Sequence, residues 1–165
     1  EQPAPHRLDM DTSGILLVTL TAEAHRNVSF QFQERETKKR YIALLDGILN
    51  RDEDSGTIEL PFRLDVDNRP HQIYDPKFGK MGISHWKKLG DENGHSRIEF
   101  IPVTGRTHQL RVHSAHEKGF GIPIVGDPLY GNGTGPAEMK LHACELTFAH
   151  PTTGEETTFY SEPPF

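Results

Sequence analysis

A stretch near the start of the chain combines two acids with a turn and an apolar run. It reads HRLDMDTSG over residues 6–14 and continues as ILLV. Because the acids lead through a Thr-Ser-Gly turn into a strand-like segment, a carboxylate here is expected on a rigid edge of the fold. We predict that Asp9 is the reacting group, since an ionised and poorly solvated carboxylate can act as a nucleophile. An acidic turn that only accepts backbone N–H bonds is the alternative interpretation.

A second stretch, GRTHQLRVH at residues 105–113, is rich in groups that bind anions. On a helix, His108 and Arg111 are three residues apart and share a side. Cationic hydrogen-bond donors at a helix start suit an anion or an acidic side chain, so His108 is a candidate substrate contact. The alternative is a solvated polar helix. The spacing of His108 and His113 and the absence of an H-E-x-x-H pattern predict no metal site.

Three further positions are ambiguous on their own. Tyr41 follows Lys-Lys-Arg in a strand-like segment, where a tyrosine is more often a core residue than a catalytic one. Leu141 lies in LHA, an equally ordinary apolar segment. Cys144 is the single cysteine of the chain and is expected to be a small buried apolar residue. One cysteine cannot form an internal disulfide, which fits a reducing compartment, and we expect a cytoplasmic protein.

The elements that would hold these residues predict an α+β fold with a mixed, mostly antiparallel sheet and a few flanking helices. A helix is predicted from a Thr21 cap to about Glu36, with an apolar stripe at Ala24, Val28 and Phe32 and with Gln31 on one of its polar faces. A second, short helix is predicted over 107–118. Strands are predicted at 15–19, 41–45, 57–60, 83–89, 96–102, 141–149 and 156–160. The third is stopped by Pro61, and the last four are predicted to form two hairpins. Residues 65–82 and 122–135 are predicted to be loops.

Composition sets broad limits on function. The 165 residues, 34% hydrophobic and 25% charged, are typical of one soluble domain. No apolar run approaches the roughly 20 residues of a membrane helix, so we expect no membrane partner. The net charge of −6 argues against a nucleic-acid partner, but binding depends on local patches. Bases concentrate at 35–40 and 106–113, and acids at 51–59 and 155–162.

The motifs in combination resemble one family. HRLDMDTSG, KRYIA, GRTHQLRVH, GDPLYG and LHA occur in an order and spacing similar to the RluA family of RNA pseudouridine synthases, from about Pro5 to Pro163. The resemblance implies an isomerase that detaches uracil from ribose at N1 and rejoins it at C5. It implies RNA as the partner, no cofactor and no metal; we expect a monomer.

By match to the family motifs, the resemblance also assigns roles. It implies that Asp9 is the essential aspartate, which either attacks the ribose C1′ or acts in forming a glycal intermediate. Arg111 matches the arginine that pairs with this aspartate. Tyr41 matches the tyrosine that stacks on the target base or transfers a proton. Leu141 matches an apolar contact to the base, and Arg7 the residue that enters the RNA stack when the uridine leaves it.

Physical chemistry supports these assignments. A nearby Arg111 lets Asp9 be both sheltered and charged, and its planar fork suits a carboxylate better than lysine does. The target nucleotide must be extruded from its stack at a cost of a few kcal/mol. We expect Asp9 and Arg111 within roughly 4 Å of each other at the floor of one cleft. Tyr41 should line that cleft. The candidates for phosphate contacts are Lys38, Lys39, Arg40 and Arg106.

Three points qualify the family resemblance. Family members usually carry a strand and a Lys-Pro segment before HRLD, whereas only Glu1–Pro5 precede it here. We therefore expect residues 1–165 to be a catalytic domain without its N-terminal part, and with one unpaired sheet edge. Residues 1–165 do not resemble an S4-like RNA-binding domain, so we expect the RNA to be bound by this catalytic domain or by one outside these residues. NRPHQ at 68–72 resembles the branch that modifies a 23S rRNA loop and the tRNA anticodon stem-loop.

Two other function classes are compatible with parts of the sequence. An RNA-binding module that has lost catalysis would keep the basic patch but would not need Asp9. A metal-dependent hydrolase could use some of the ten histidines. The intact set of Asp9, Tyr41 and Arg111 favours the pseudouridine synthase over both.

Overall fold

The strands of the chain join in one eight-stranded sheet. A computed structural model describes residues 4–135 and 137–165, so Glu1–Pro3, at the start of the predicted domain, lie outside the described residues. The strands are β1 (Ser13–Gly14), β2 (Lys38–Leu44), β3 (Ser55–Leu64), β4 (Gln72–Tyr74), β5 (Lys80–Glu92), β6 (His95–Pro102), β7 (Leu141–Ala149) and β8 (Glu156–Tyr160). The helices are α1 (Ala22–Glu34) and α2 (Gln109–Ala115). None of the described helices is long and apolar enough to cross a membrane.

The strand order is β1-β7-β2-β6-β5-β3-β4, and β8 pairs with β7. Only the β1–β7 pair is parallel among the strand pairs of the described residues. This mixed, mostly antiparallel sheet with two helices confirms the predicted α+β class. Both helices lie on one face of the sheet. Lys39 and Tyr41 point to the same face of β2. The Lys39 ammonium lies over the Phe32 ring of α1. Tyr41 packs against the larger cluster of buried apolar side chains, which includes Leu110 of α2.

Helix α1 begins as predicted and ends slightly early. The Thr21 hydroxyl accepts a hydrogen bond from the N–H of Ala24 at 3.2 Å, which confirms the cap. The helix ends at Glu34 because Arg35 adopts a left-handed conformation with φ of 61°. Gln31, predicted on a polar face, is buried, because its amide donates to the carbonyl of Ala149 and accepts from its N–H, each at 2.8 Å.

Residues 15–19 do not form the predicted buried strand. Pairing with β7 ends where the N–H of Ile15 donates to Ala143, and the next available N–H, that of Leu17, donates to the ring of His6 instead. Alternate side chains of this segment, Ile15 and Leu17, pack on the smaller of the two buried apolar clusters. Leu16 and Val18 are 49% and 50% exposed.

The prediction that Pro61 ends a strand is also wrong, since β3 runs through it to Leu64. The carbonyl of Pro61 accepts from the N–H of Asp75, on the side away from β5. In an extended strand the N–H and C=O of one residue point to the same side, so the missing proline N–H removes no bond to β5. The predicted loop at 65–82 likewise contains β4 and the first residues of β5.

The two hairpins are confirmed. Strands β5 and β6 are joined through Asn93 and Gly94, both with positive φ, as a tight hairpin turn requires. Strands β7 and β8 have the predicted bounds. Cys144 is buried, as expected, and its thiol donates to the carbonyl of Arg40. Helix α2 is shorter than predicted, and it is not a solvated polar helix, because all residues 109–114 are buried.

Candidate active site

A cavity of about 400 Å³ opens at one end of the sheet, within the size range of ligand pockets. Its walls come from the HRLD segment, the end of α1, the start of β2 and the segment after β6. It brings together most of the predicted site residues, namely Arg7, Asp9, Lys39, Tyr41, Arg106 and Leu141. Across the described residues, no group of three or more His, Cys, Asp or Glu side chains could hold a metal ion.

The Thr-Ser-Gly turn fixes Asp9 against β7. The carbonyl of Asp9 accepts from the N–H of Thr12 at 3.0 Å, and the hydroxyl of Ser13 bonds the ring of His142 at 2.8 Å. Gly14 has a φ of 110°, and a Cβ there would overlap the backbone of Ala143. The motif therefore needs glycine for both backbone conformation and close approach. Thr12 lines the cavity, and its hydroxyl is buried without a hydrogen-bond partner among the described residues.

His6 fixes the other end of the same segment. Its ring stacks on Phe32 of α1 with a centroid distance of 4.6 Å, and its Nε2 accepts the N–H of Leu17 at 2.8 Å. Burial, helped by the nearby charge of Lys39, lowers the pKa of His6 to about 4. The ring is therefore neutral near pH 7, as an accepting nitrogen requires.

Arg111 lies between two carboxylates. Its Nη1 is 4.0 Å from Oδ2 of Asp9, which matches the predicted separation. Its stronger partner is Asp127, with Nε to Oδ2 at 2.8 Å and Nη2 to Oδ1 at 2.6 Å. Arg111 is 3% and Asp127 0% exposed at the side chain, so this is a buried, two-point ion pair.

Asp127 is a site residue that sequence reasoning missed. Its Oδ1 also accepts the backbone N–H groups of Leu129 and Tyr130. Burial raises the pKa of Asp127, but the bonds from Arg111 and from these N–H groups outweigh burial and keep the pKa below its usual value. A signal for Asp127 was present in the sequence, because the GDPLYG motif at 126–131 is part of the family resemblance. The resemblance assigned no role to Asp127, however.

Tyr130 completes the support of Arg111. The guanidinium carbon of Arg111 lies 5.2 Å from the centre of the Tyr130 ring. The Tyr130 hydroxyl accepts the N–H of Gln72 at 2.8 Å and is 2.9 Å from Nδ1 of His108, to which it can donate. His108 is buried, which lowers its pKa, and it is not among the residues that line the cavity. Its predicted contact with substrate stays a prediction.

Gln109 is a second residue that sequence reasoning missed. Its amide oxygen accepts from the hydroxyl of Thr104 at 2.6 Å and from the N–H of Arg106 at 3.1 Å. Its amide nitrogen donates to Ile83 and Ser84 of β5, each at 2.9 Å. One buried side chain thus ties the cavity wall at 104–106 to the sheet.

Tyr41 projects from β2 into the cavity near Asp9. Burial, with a further contribution from the charge of Asp9 and one from Cys144, raises the pKa of Tyr41 to about 12. The hydroxyl is therefore protonated at any physiological pH. It can donate a hydrogen bond, and its ring presents a face to a planar ligand.

The basic side chains that line the cavity are not paired with acidic side chains of the described residues. Arg7, Arg35, Lys39 and Arg106 line it, and none makes an ion pair with a described residue. Burial, then the charge of Arg35, lowers the pKa of Lys39.

Two other bases predicted to bind phosphate differ from these. Lys38 pairs with Glu156 at 2.9 Å, and neither Lys38 nor Arg40 lines the cavity. Arg40 pairs with Glu99 at 3.0 Å and with Glu145 at 2.9 Å. Their charges are thus largely balanced by neighbouring acids.

Comparisons with known proteins identify the family of this chain. A family profile described as RNA pseudouridylate synthase matches residues 2–116. The dual-specificity RNA pseudouridine synthase RluA of Haemophilus ducreyi is 44% identical over 99% of this chain and 74% of that protein. The protein of the same name from Escherichia coli is 39% identical over 93% of this chain and 70% of its own.

A solved structure shows the same architecture. Human RNA Pseudouridylate Synthase Domain Containing 1 superimposes with a TM-score of 0.81 and 34% identity, covering 100% of this chain and 70% of the human one. Human RNA Pseudouridylate Synthase Domain Containing 4 superimposes with a TM-score of 0.77 at 20% identity, which shows the fold alone.

Proposed function

Since the chain belongs to the RluA family of RNA pseudouridine synthases, and is therefore an isomerase, we propose that Asp9 performs its chemistry in the cavity at the end of the sheet. The observation that carries the proposal is the isolation of this carboxylate. Asp9 is the one acid among the described residues that line the cavity, and the rim around it is basic. Such a site attracts a polyanion and presents it with a single carboxylate.

The reaction breaks the bond between N1 of uracil and C1′ of ribose and forms a bond between C5 and C1′. Asp9 either attacks C1′ or removes a proton from the ribose to give a glycal. In both routes the detached base turns within the cavity, C5 loses its proton and N1 gains one. Arg111 places a cation 4.0 Å from the carboxylate of Asp9, and Asp127 keeps Arg111 oriented.

Tyr41 and Leu141 hold the base while it turns. The aromatic ring offers a stacking face, and stacking on one base is worth about 1–3 kcal/mol. The neutral Tyr41 hydroxyl can relay a proton from C5 to N1 of the base by accepting one proton as it donates its own, so that no anion remains beside Asp9. Both side chains line the cavity from adjacent strands, β2 and β7.

The basic rim binds the RNA strand. Arg106 and Lys39 contact phosphates, which fixes the strand in register without reading its sequence. Arg7 is exposed at the cavity mouth and fills the gap that the extruded uridine leaves in the stack. The net charge of −6 does not oppose this role, because Arg7, Arg35, Lys39 and Arg106 make no ion pair within the described structure.

We infer that the substrates are a 23S rRNA loop, a tRNA anticodon stem-loop, or both. The support is NRPHQ at 68–72 and the similarity to relatives named dual-specificity synthases. We also infer that the chain acts as a monomeric, single catalytic domain in the cytoplasm. A single sheet containing strands from Ser13 to Tyr160 supports the one-domain assignment.

Replacing Asp9 tests the proposal, and Asp11 provides a control in the same turn. Purified Asp9→Asn and Asp11→Asn chains are incubated with unmodified tRNA and 23S rRNA transcripts, and pseudouridine is quantified by mass spectrometry of nucleosides. We expect no product from Asp9→Asn. Asp11→Asn should stay active, because the one hydrogen bond of the Asp11 carboxylate within the described residues is from the N–H of Ala137, which an amide oxygen can also accept. Undiminished product from Asp9→Asn would contradict the assignment.

A further inference from the structure

A tight turn between β4 and β5 displays an exposed aromatic ring. The Oδ1 of Asp75 accepts the N–H groups of Lys77 and Phe78, each at 2.9 Å, and its Oδ2 accepts Nε of Arg63 at 2.5 Å. A Cβ on Gly79 would overlap the backbone of β3. These contacts hold the turn firmly on the sheet. Its conformation is thus defined before any partner arrives.

The side chains on this turn suit a nucleic acid. Phe78 is 68% exposed, which is unusual for a large aromatic residue. The Lys77 ammonium lies 5.0 Å from the centre of its ring, and Lys80 follows two residues later. Neither lysine makes an ion pair with a described residue. An exposed ring flanked by unpaired cations is the combination that single-stranded nucleic-acid sites use.

The turn continues the basic rim of the cavity. Arg106, which lines the cavity, donates through Nε to the carbonyl of Met81 at 3.4 Å. Phe78 precedes Met81 by three residues, so their Cα atoms are at most about 11 Å apart. The turn is therefore close in the chain to the residue that contacts Arg106 at the cavity wall.

The acids near the turn do not cancel its charge. Asp75 is paired with Arg63 and turned into the backbone. Glu59 is exposed on the neighbouring strand, but it lies opposite Ile83, beyond Met81 and away from Lys77. The surface between Lys77 and Arg106 therefore carries a net positive charge, whereas the net charge of the whole chain is −6.

We propose that Phe78 is a stacking platform for a base of the RNA that flanks the target uridine, with Lys77 and Lys80 on the adjacent phosphates. The platform fixes which neighbouring nucleotide lies over the turn while the target enters the cavity. The inference rests on the proposed function in that it takes the occupant to be RNA. The favourable charge and the continuity with the cavity argue for RNA over a protein partner.

The test compares two exposed phenylalanines on the full chain. Phe78→Ala is matched with Phe30→Ala, which is 56% exposed on α1 and does not line the cavity. The probe is a fluorescent, unmodified tRNA anticodon stem-loop, with its dissociation constant measured by anisotropy. The same RNA is then made with an abasic site at each loop position in turn. Pseudouridine formation by the wild type on this RNA tests the proposed function separately.

We expect Phe78→Ala to weaken binding about 5- to 150-fold, as loss of one stacked base implies, and Phe30→Ala to bind like the wild type. One abasic position should weaken the wild type by a similar factor and have no further effect on Phe78→Ala. Equal binding by both variants and the wild type would overturn the proposal. So would unchanged RNA binding with altered sedimentation of Phe78→Ala, which would identify the turn as a contact between copies of the chain.

Discussion

Asp127 holds the guanidinium of Arg111 by two hydrogen bonds, 2.8 Å and 2.6 Å long, with the carboxylate fully buried. The contact of the same guanidinium with Asp9 is a single one, at 4.0 Å. Asp127 thus fixes the position of Arg111, while Asp9 makes the longer and weaker contact with it. This division leaves Asp9 free to move toward a substrate without loss of the arginine's position.

Removing the anchor should destabilise the fold. Asp127→Asn leaves the Arg111 charge buried without its partner, and we expect a loss of about 3–5 kcal/mol in the free energy of unfolding. Glu156→Gln is the control, because it breaks the exposed pair with Lys38, in which both side chains are about two thirds exposed. That change should cost about 1 kcal/mol or less. Urea denaturation measures both, and similar losses in the two variants would show that Asp127 is not an anchor.

Stability should fall in mildly acidic solution because burial lowers the pKa of several histidines, His113 and His6 among them. Burial lowers the pKa of His113 to about 4, and neither ring nitrogen completes a hydrogen bond, although the Gly82 backbone lies close. The folded state therefore favours the neutral ring. Its contribution is complete above pH 6.5 and is lost as the pH falls toward 4, by up to about 1.4 kcal/mol per pH unit. Asp127, whose pKa is lowered, loses its contribution only at more acidic pH.

The variant His113→Leu isolates this effect. It removes the titrating ring at a site where, among the described residues, neither ring nitrogen completes a hydrogen bond, so we expect unchanged or higher stability at pH 7 and a flatter decline between pH 6.5 and 4. His85→Leu, at an exposed position on β5, should keep the wild-type decline. Denaturant titrations at several pH values measure the slopes. A decline in His113→Leu as steep as that of the wild type would exclude His113 as the cause.

Alanine substitutions at two glycines with positive φ distinguish the stability cost of steric overlap from that of backbone strain. Gly14→Ala places a methyl group into the backbone of β7, whereas Gly154→Ala, in the β7–β8 turn, meets nothing within 4 Å. We expect Gly154→Ala to cost about 1–2 kcal/mol from its left-handed backbone alone. Gly14→Ala should cost more and should also abolish pseudouridine formation, because it displaces the turn that carries Asp9. Full activity in Gly14→Ala would contradict this placement of Asp9.

Motif order predicted the centre of the site well. Asp9 and Arg111 are separated by about a hundred residues, yet the resemblance placed them together, and they lie 4.0 Å apart. Periodicity and turn residues predicted α1 and both hairpins, because these depend on local sequence. The catalytic roles themselves remain proposals.

What the sequence did not predict depends on contacts between distant segments. Nothing local indicates that Asp127 rather than Asp9 is the close partner of Arg111, since either carboxylate could serve. Pro61 is compatible with a strand only because its missing N–H points away from β5. Gln31 is buried because an unpaired backbone position at Ala149 happens to face it. These outcomes depend on which distant residues each side chain meets in the fold, and residue type alone does not predict them.

The uncompensated bases around the cavity lie at one end of β5 and β6, and the acids at 52–54 lie beside the other, where Asp54 accepts the N–H of Lys88. The molecule is therefore electrically polar along these strands. An approaching RNA would be steered and turned before it touches any specific group, so that encounters at the wrong end are short. The gain is one of association rate, and it should fade as added salt shortens the range of the field.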